Sequence, residues 1–214
     1  MSVDPAGMRR SYESGALDEH DLPPAPEDQF ARWLTDAVAA GVPEPNAMTL
    51  ATASADGRPS ARTVLLKAYD ARGFAFYTNL GSRKGREIAD NPRAALVFAW
   101  LPLERQVTVT GDVVAVPRDE AAAYFASRPR GSRVGAWASP QSSVVASRAD
   151  LERRYAELDE RFGEQVPLPD SWGGFRVVPL TVEFWQGRPS RMHDRLRFAR
   201  GTPEEPWLVQ RLAP

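Results

Sequence analysis

Strand-length runs joined by hairpin-sized connections constrain the fold of this 214-residue chain more than any other feature. Residues 48–54 alternate in polarity, and Asp56-Gly57 supplies a turn. Residues 62–67 and 74–78 are β-branched and aromatic. Asp70-Ala71-Arg72-Gly73 between them has the residue types of a tight turn, so the two runs read as a hairpin. Strands follow at 94–100 and 104–116, with Gly111 marking a bulge or bend, and the last third returns to strands at 177–186, 192–199 and 207–212. Helical spacing appears only between some of these runs. Phe30, Trp33, Leu34, Ala37 and Val38 give residues 27–40 a core-facing stripe, and 82–90, 117–127 and 148–162 read as further helices. Residues 128–133 read as a basic loop. About seven strands with helices beside them predict a mainly β chain. The expected form is an antiparallel barrel with peripheral helices, not a doubly wound sheet. No GxGxxG follows a strand, so a phosphate here must be held by side chains and a helix end.

Composition narrows the chemistry. There is no cysteine, which excludes disulfides, thiolate metal sites and cysteine nucleophiles, and two histidines make a His-rich metal site a poor expectation. A net charge of -1 argues against a general nucleic-acid coat but leaves room for a local basic pocket. Residues 1–25 are polar, lack the apolar core of a signal peptide, and read as an arm ahead of a single domain spanning 26–214. The longest apolar run, residues 94–101, is too short to cross a bilayer. The expectation is a cytoplasmic protein with neither membrane nor nucleic-acid partners.

Several clusters invite a chemical reading. Ser82 reads as an N-cap with Arg83 and Lys84 in the first helical turn. Cations there oppose the helix dipole, so they point to an anion at that end, where phosphate binds well. Arg62 and Lys67 are five positions apart, so alternation puts them on opposite strand faces and favours two separate anions, unless a bulge or edge intervenes. The alternative is a solvated basic hairpin. Gln106 interrupts an apolar strand and inside a barrel would need either a ligand ring or a water. Tyr124 and Arg128 share a helix face, with Ser132 close behind; they grip a phosphate or simply cap a helix end. Gln141-Ser142-Ser143 offers amide and hydroxyl donors, a weak signal. Arg191, His193 and Arg195 alternate and so share one strand face. They meet an anion or electron-rich ring there, or they guard an exposed edge strand.

The order of motifs is more specific than any one of them. Arg9-Arg10-Ser11-Tyr12, Arg62-Thr63-Val64-Leu65-Leu66-Lys67 and Tyr77-Thr78-Asn79-Leu80-Gly81-Ser82-Arg83-Lys84 come first. Leu103-Glu104-Arg105-Gln106-Val107, Ser127-Arg128-Pro129-Arg130 and Gln141-Ser142-Ser143 follow, then Trp172-Gly173-Gly174-Phe175-Arg176, Glu183-Phe184-Trp185-Gln186-Gly187 and Arg191-Met192-His193. Together they resemble the pyridoxine/pyridoxamine 5'-phosphate oxidase family over nearly the whole chain. The resemblance implies an FMN-binding split β-barrel and a homodimer with two FMN sites between subunits. It implies that Arg62, Arg83, Lys84 and Ser142 hold the FMN phosphate. Thr63, Val64, Leu65, Leu66, Lys67, Tyr77, Thr78, Gln106, Gln141, Trp185 and Arg195 would line the rest of the flavin site. Lys67, Tyr124, Arg128 and Ser132 would take the substrate phosphate. Arg191, Met192 and His193 would cover the pyridine ring, with Arg191 and His193 the catalytic pair, and Arg9, Arg10, Ser11 and Tyr12 would close over the pocket. Where the family arm carries an acid, this chain has Ser11.

The implied activity is oxidation of pyridoxine or pyridoxamine 5'-phosphate to pyridoxal 5'-phosphate. Oxygen would be the electron acceptor, with hydrogen peroxide released, and ammonia from the amine. Three rivals are a split-barrel flavin reductase, which would lack Tyr124, Arg128 and Ser132 as a set, a non-catalytic flavin or pyridoxal phosphate carrier, which would take up no oxygen, and a nucleic-acid-binding module, against which the net charge of -1 counts.

Overall fold

A computed structural model describes residues 4, 5, 8 and 11–214. Among these residues nine strands form one sheet: β1 (Ala47–Ala53), β2 (Pro59–Leu65), β3 (Ala68–Asp70), β4 (Gly73–Asn79), β5 (Arg93–Trp100), β6 (Arg105–Ala115), β7 (Trp172–Gln186), β8 (Asp194–Ala199) and β9 (Leu208–Arg211). The helices are α1 (Pro26–Ala39), α2 (Arg83–Asp90), α3 (Arg118–Ser127), α4 (Arg130–Ala138) and α5 (Arg148–Phe162). Sheet order is β2-β1-β5-β6-β7-β4-β3, with β8 and β9 beyond β7, and every pairing is antiparallel. On one side β7 pairs with β6 along most of its length. On the other its first half pairs with β4 and its second half with β8. The sheet thus divides along one edge of β7 and curls into an antiparallel split barrel, as expected. Among the described residues no helix is long and apolar enough to cross a membrane.

Strand alternation builds the core. Leu50, Leu96, Phe98, Val107, Val109, Val182, Phe184, Leu196 and Phe198 are all buried, while Val97, Thr108, Glu183 and Arg197 between them are half-buried on the outer face. Helix α1 covers the inner face. Pro26 opens it, Glu27 and Asp28 suit the positive end of its dipole, and Phe30 sits edge-on to Tyr69, Phe74 and Phe98 at centroid distances of 4.9, 5.0 and 4.8 Å. Burying each such ring stabilises the fold by about 1.5–3 kcal/mol. Val38, expected in this stripe, is 62% exposed. It lies roughly 100° around the helix from the line through Phe30 and Ala37. The expected irregularity at Gly111 is present as a register shift in the β6–β7 ladder. A Cβ there would come within 1.9 Å of the Val178 carbonyl oxygen, so only glycine fits.

Four local expectations are corrected. The chain has nine strands among the described residues, because short β3 and β9 extend the sheet. Residues 62–67 do not form the hairpin with 74–78: β2 pairs with β1, and β3 forms the hairpin with β4. The strand breaks because Leu66 turns into the core, its N–H bonding to the Asn46 carbonyl while Lys67 N–H bonds to Ala75. Residues 130–133 lie in helix α4, not in a loop. Strand β8 starts at Asp194, so Arg191 and His193 precede it and do not alternate with Arg195 along a strand. Ser190 and Arg191 take positive φ of 58 and 61°, which ends extended structure there.

Candidate active site

A cleft of about 1020 Å³ opens between β2, the end of β4, the start of α2 and the α3–α4 corner. Arg62, Thr63, Val64, Leu65, Lys67, Tyr77, Thr78, Arg83, Lys84, Tyr124, Arg128, Ser132, Gln141 and Ser142 all line it. Arg62 and Lys67 thus reach the same cleft, contrary to the opposite faces expected from alternation, because the break at Leu66 resets the pleat. Leu66 itself does not line the cleft; its side chain is buried in the core.

One end of the cleft is built on helix α2. The Ser82 hydroxyl accepts from Gly85 N–H at 3.3 Å and caps the helix. Lys84, buried, donates from Nζ to Thr78 Oγ1 and Gln141 Oε1 at 3.0 Å each, and to Ser82 Oγ at 3.3 Å. All three acceptors are neutral, and among the described residues no carboxylate pairs with this ammonium. Burial, then the charge of Arg62, pushes the Lys84 pKa below the ordinary lysine value. Arg62 and Arg83 do share a carboxylate, that of Glu87 at the back of the cleft wall.

The other end is built on α3 and α4. Tyr124 stacks on Tyr77 at 4.3 Å, and Tyr77 is nearly parallel to Trp172 at 5.5 Å, which makes an aromatic wall. The Arg128 guanidinium lies 4.9 Å from the Trp172 ring centroid. Its Nη1 is buried with no hydrogen-bond partner among the described residues, and burial disfavours its charge. An orphaned buried donor on a cation asks for an anionic acceptor. Lys67 Nζ lies 6.0 Å from the Tyr124 ring centroid.

The remaining expected residues do not line this cleft. Gln106, Trp185 and Arg195 form one row across β6, β7 and β8, as lateral partners in the ladders. Gln106 is half-buried and bonds Thr108 Oγ1 at 3.3 Å, on the face opposite Val107 and Val109, so it is not inside the barrel core as expected. Arg195 is paired with Glu183 through two contacts at 2.7 and 3.1 Å. His193 packs 4.6 Å from Trp185, and Tyr12 lies 5.8 Å from both rings. His193 Nδ1 accepts the Arg188 N–H at 3.0 Å, which assigns the ring proton to Nε2 and makes that nitrogen a donor. Arg191 and Met192 are exposed in the adjoining turn, and Ser11 is exposed beside Tyr12. Arg9 and Arg10 lie outside the described residues. Leu66 apart, the expected site residues that are described therefore fall into two groups within one chain: a cationic cleft and an aromatic shelf with its adjoining turn.

Trp172, which lines the cleft, and Glu87, which stands behind its wall, went unassigned from sequence. Trp172 stood inside a recognisable motif, but nothing local ties it to Arg128. Glu87 had a usable signal, since it follows Arg83 by four positions on a helix.

Residues 34–185 match a family described as "Pyridoxamine 5'-phosphate oxidase", and residues 172–214 match "Pyridoxine 5'-phosphate oxidase C-terminal dimerisation region". The chain is 59% identical to a pyridoxine/pyridoxamine 5'-phosphate oxidase of Bordetella petrii, covering 100% of both chains. It is 56% identical to one of Streptomyces avermitilis, over 99% of this chain and 96% of that one. Among solved structures it resembles PhzG from Burkholderia lata in complex with tetrahydrophenazine-1-carboxylic acid. That likeness has a TM-score of 0.89 and 33% identity, over 96% of this chain and 100% of that one. It also shares the fold of a pyridoxamine 5'-phosphate oxidase-related, FMN binding protein from Nostoc punctiforme. There the TM-score is 0.70 at 17% identity, over 90% of this chain and 100% of that one.

Proposed function

The chain belongs to the pyridoxamine 5'-phosphate oxidase family, and from that membership we propose that it binds FMN and oxidises pyridoxine and pyridoxamine 5'-phosphates to pyridoxal 5'-phosphate. The observation that carries the reading is one cleft with uncompensated cations at two places: Lys84 on α2, whose three acceptors are all neutral, and Arg128 at the end of α3, whose buried Nη1 has no partner among the described residues. Two phosphate-bearing molecules lying side by side would satisfy both. Arg62, Arg83, Lys84 and Ser142 hold the FMN phosphate; Lys67, Tyr124, Arg128 and Ser132 hold that of the substrate.

FMN, when bound, would supply the two-electron acceptor for hydride from the substrate C4' carbon, with oxygen as the final acceptor and hydrogen peroxide as the product. With the amine substrate, loss of hydride would leave an imine, and water would hydrolyse it to the aldehyde and ammonia. The protein's own work is to orient and to exclude water. His193 offers its Nε2–H to a ring substituent, Arg191 covers the pyridine ring, and Tyr12 closes the shelf as part of an arm formed by residues 1–25. The shelf residues Gln106, Trp185 and Arg195 of one subunit face the cleft of the other in a homodimer. Two observations support this: the row does not line its own chain's cleft, and residues 172–214 match the dimerisation region.

The test is direct. The purified protein should be yellow and release FMN on denaturation. It should consume oxygen with either phosphorylated vitamer and far less with unphosphorylated pyridoxine. A colourless protein, or equal rates with and without the phosphate, would overturn the reading.

A further inference from the structure

Glu87 is the one carboxylate set against the α2 end of the cleft among the described residues. Its side chain is buried and does not line the cleft, so it stands behind the arginines. Oε1 accepts from Arg83 Nε at 2.8 Å. Oε2 accepts from Thr52 Oγ1 and Ser60 Oγ at 2.5 Å each and from Arg62 Nη2 at 3.2 Å. Arg62 Nη1 in turn donates to Thr52 Oγ1 at 2.6 Å, and its Nη2 also meets Ser60 Oγ. Burial by itself would raise the Glu87 pKa. The hydroxyls of Ser60 and Thr52, then Arg83 and Arg62, outweigh that and hold it at about 2, so it is ionised at every working pH.

We propose that Glu87 is a positioning residue for the cofactor phosphate: one buried carboxylate, taken by Arg83 on one oxygen and Arg62 on the other, fixes both guanidiniums at the cleft. The proposal rests on the reading of this cleft as an FMN site. Arg83 shows why such a device is needed. Its side chain is 61% exposed, and a free arginine of that length samples many rotamers. Tethering Nε to Glu87 removes much of that freedom and leaves both terminal nitrogens for an anion. Arg62, Arg83 and Lys84 against one carboxylate leave a charge of about +2, matched to a phosphate monoester near neutral pH. The carboxylate also opposes the phosphate electrostatically. Solvent reaches this rim through Arg83 and screens that repulsion, so anchoring outweighs it.

Flavin-free full-length protein should be titrated with FMN and with riboflavin, which lacks the phosphate, following quenching of flavin fluorescence. The wild type should bind FMN more tightly. Glu87→Gln should raise the FMN Kd about tenfold, the loss expected for one charge-assisted contact, while the riboflavin Kd stays within about twofold. Thr52→Val, a milder cut in the same network, should shift FMN alone in the same direction by less. Equal losses for both flavins would mean general damage and overturn the proposal. So would an unchanged or tighter FMN complex in Glu87→Gln, which would make the carboxylate a mere competing anion. If Glu87→Gln does not fold, an unaltered FMN-to-riboflavin ratio in Thr52→Val overturns it. A wild type that binds both flavins equally sinks the reading of the cleft, and the proposal with it.

Discussion

At the scale of single residues, Arg128 and the Arg191–His193 pair make separate claims. Arg128 is packed against Trp172 and keeps a buried donor unpaired. Its removal by Arg128→Ala should cost on the order of 1.5–3 kcal/mol of substrate binding, raising KM about tenfold or more. Flavin occupancy should stay at the wild-type level, read from the visible spectrum. Lost flavin with normal KM would reverse the two ends of the cleft. Arg191 sits next to Ser190, both with left-handed backbone, a conformation that costs on the order of 1 kcal/mol per residue and gathers at functional sites. Arg191→Met should therefore lower kcat/KM severely with FMN still bound. His193→Asn keeps a side-chain oxygen for the Arg188 N–H and should do less harm. Wild-type turnover in both variants would return this turn to the ordinary surface. Residue identities here were legible in the sequence through motif order. Their orientation was not, because Arg191 and His193 were read as strand and the chain instead turns at Ser190.

Secondary-structure elements explain which parts of the fold could be read locally. Alternation along β5, β6 and β7 is a property of each strand, so those strands were legible. The break after β2 depends on Leu66 finding the core, and no neighbour in sequence announces it. The first turn of helix α4 was hidden because Gly131 and Ser132 lower its propensity. It is held from outside, where Arg130 bonds Asp159 and the Gly163 carbonyl at the end of α5. Helix α2 is tied to β1 and β2 by Glu87. A carboxylate held at about 2 in the fold and near its ordinary 4.5 when unfolded stabilises fully above about pH 4.5. That contribution fades as pH falls toward 2. Urea unfolding should then show wild type more stable than Glu87→Gln by on the order of 2 kcal/mol at pH 6, with the gap closing through the acid range. A gap independent of pH would assign the loss to shape instead of charge.

In the whole molecule, cleft and shelf each carry part of the expected flavin set. If subunits complete each other's sites, FMN and dimer must be linked. Dilution or an interface substitution should release flavin as monomer appears, measured by sedimentation with detection at a flavin wavelength. A monodisperse monomer with full FMN would refute the shared site. The neutral company of Lys84 reaches further, to the survival of the protein in a cell. A desolvated ammonium without a counter-charge weakens the fold, and a bound phosphate ester relieves it. Binding then adds RT ln(1 + [FMN]/Kd) to folding stability. Vitamin supply would thereby govern abundance as well as activity: in riboflavin-starved cells the chain opens more often and proteases clear it sooner. A pulse-labelled protein whose half-life ignores riboflavin would count against this, and a half-life that shortens on starvation would make the amount of enzyme itself a gauge of flavin status.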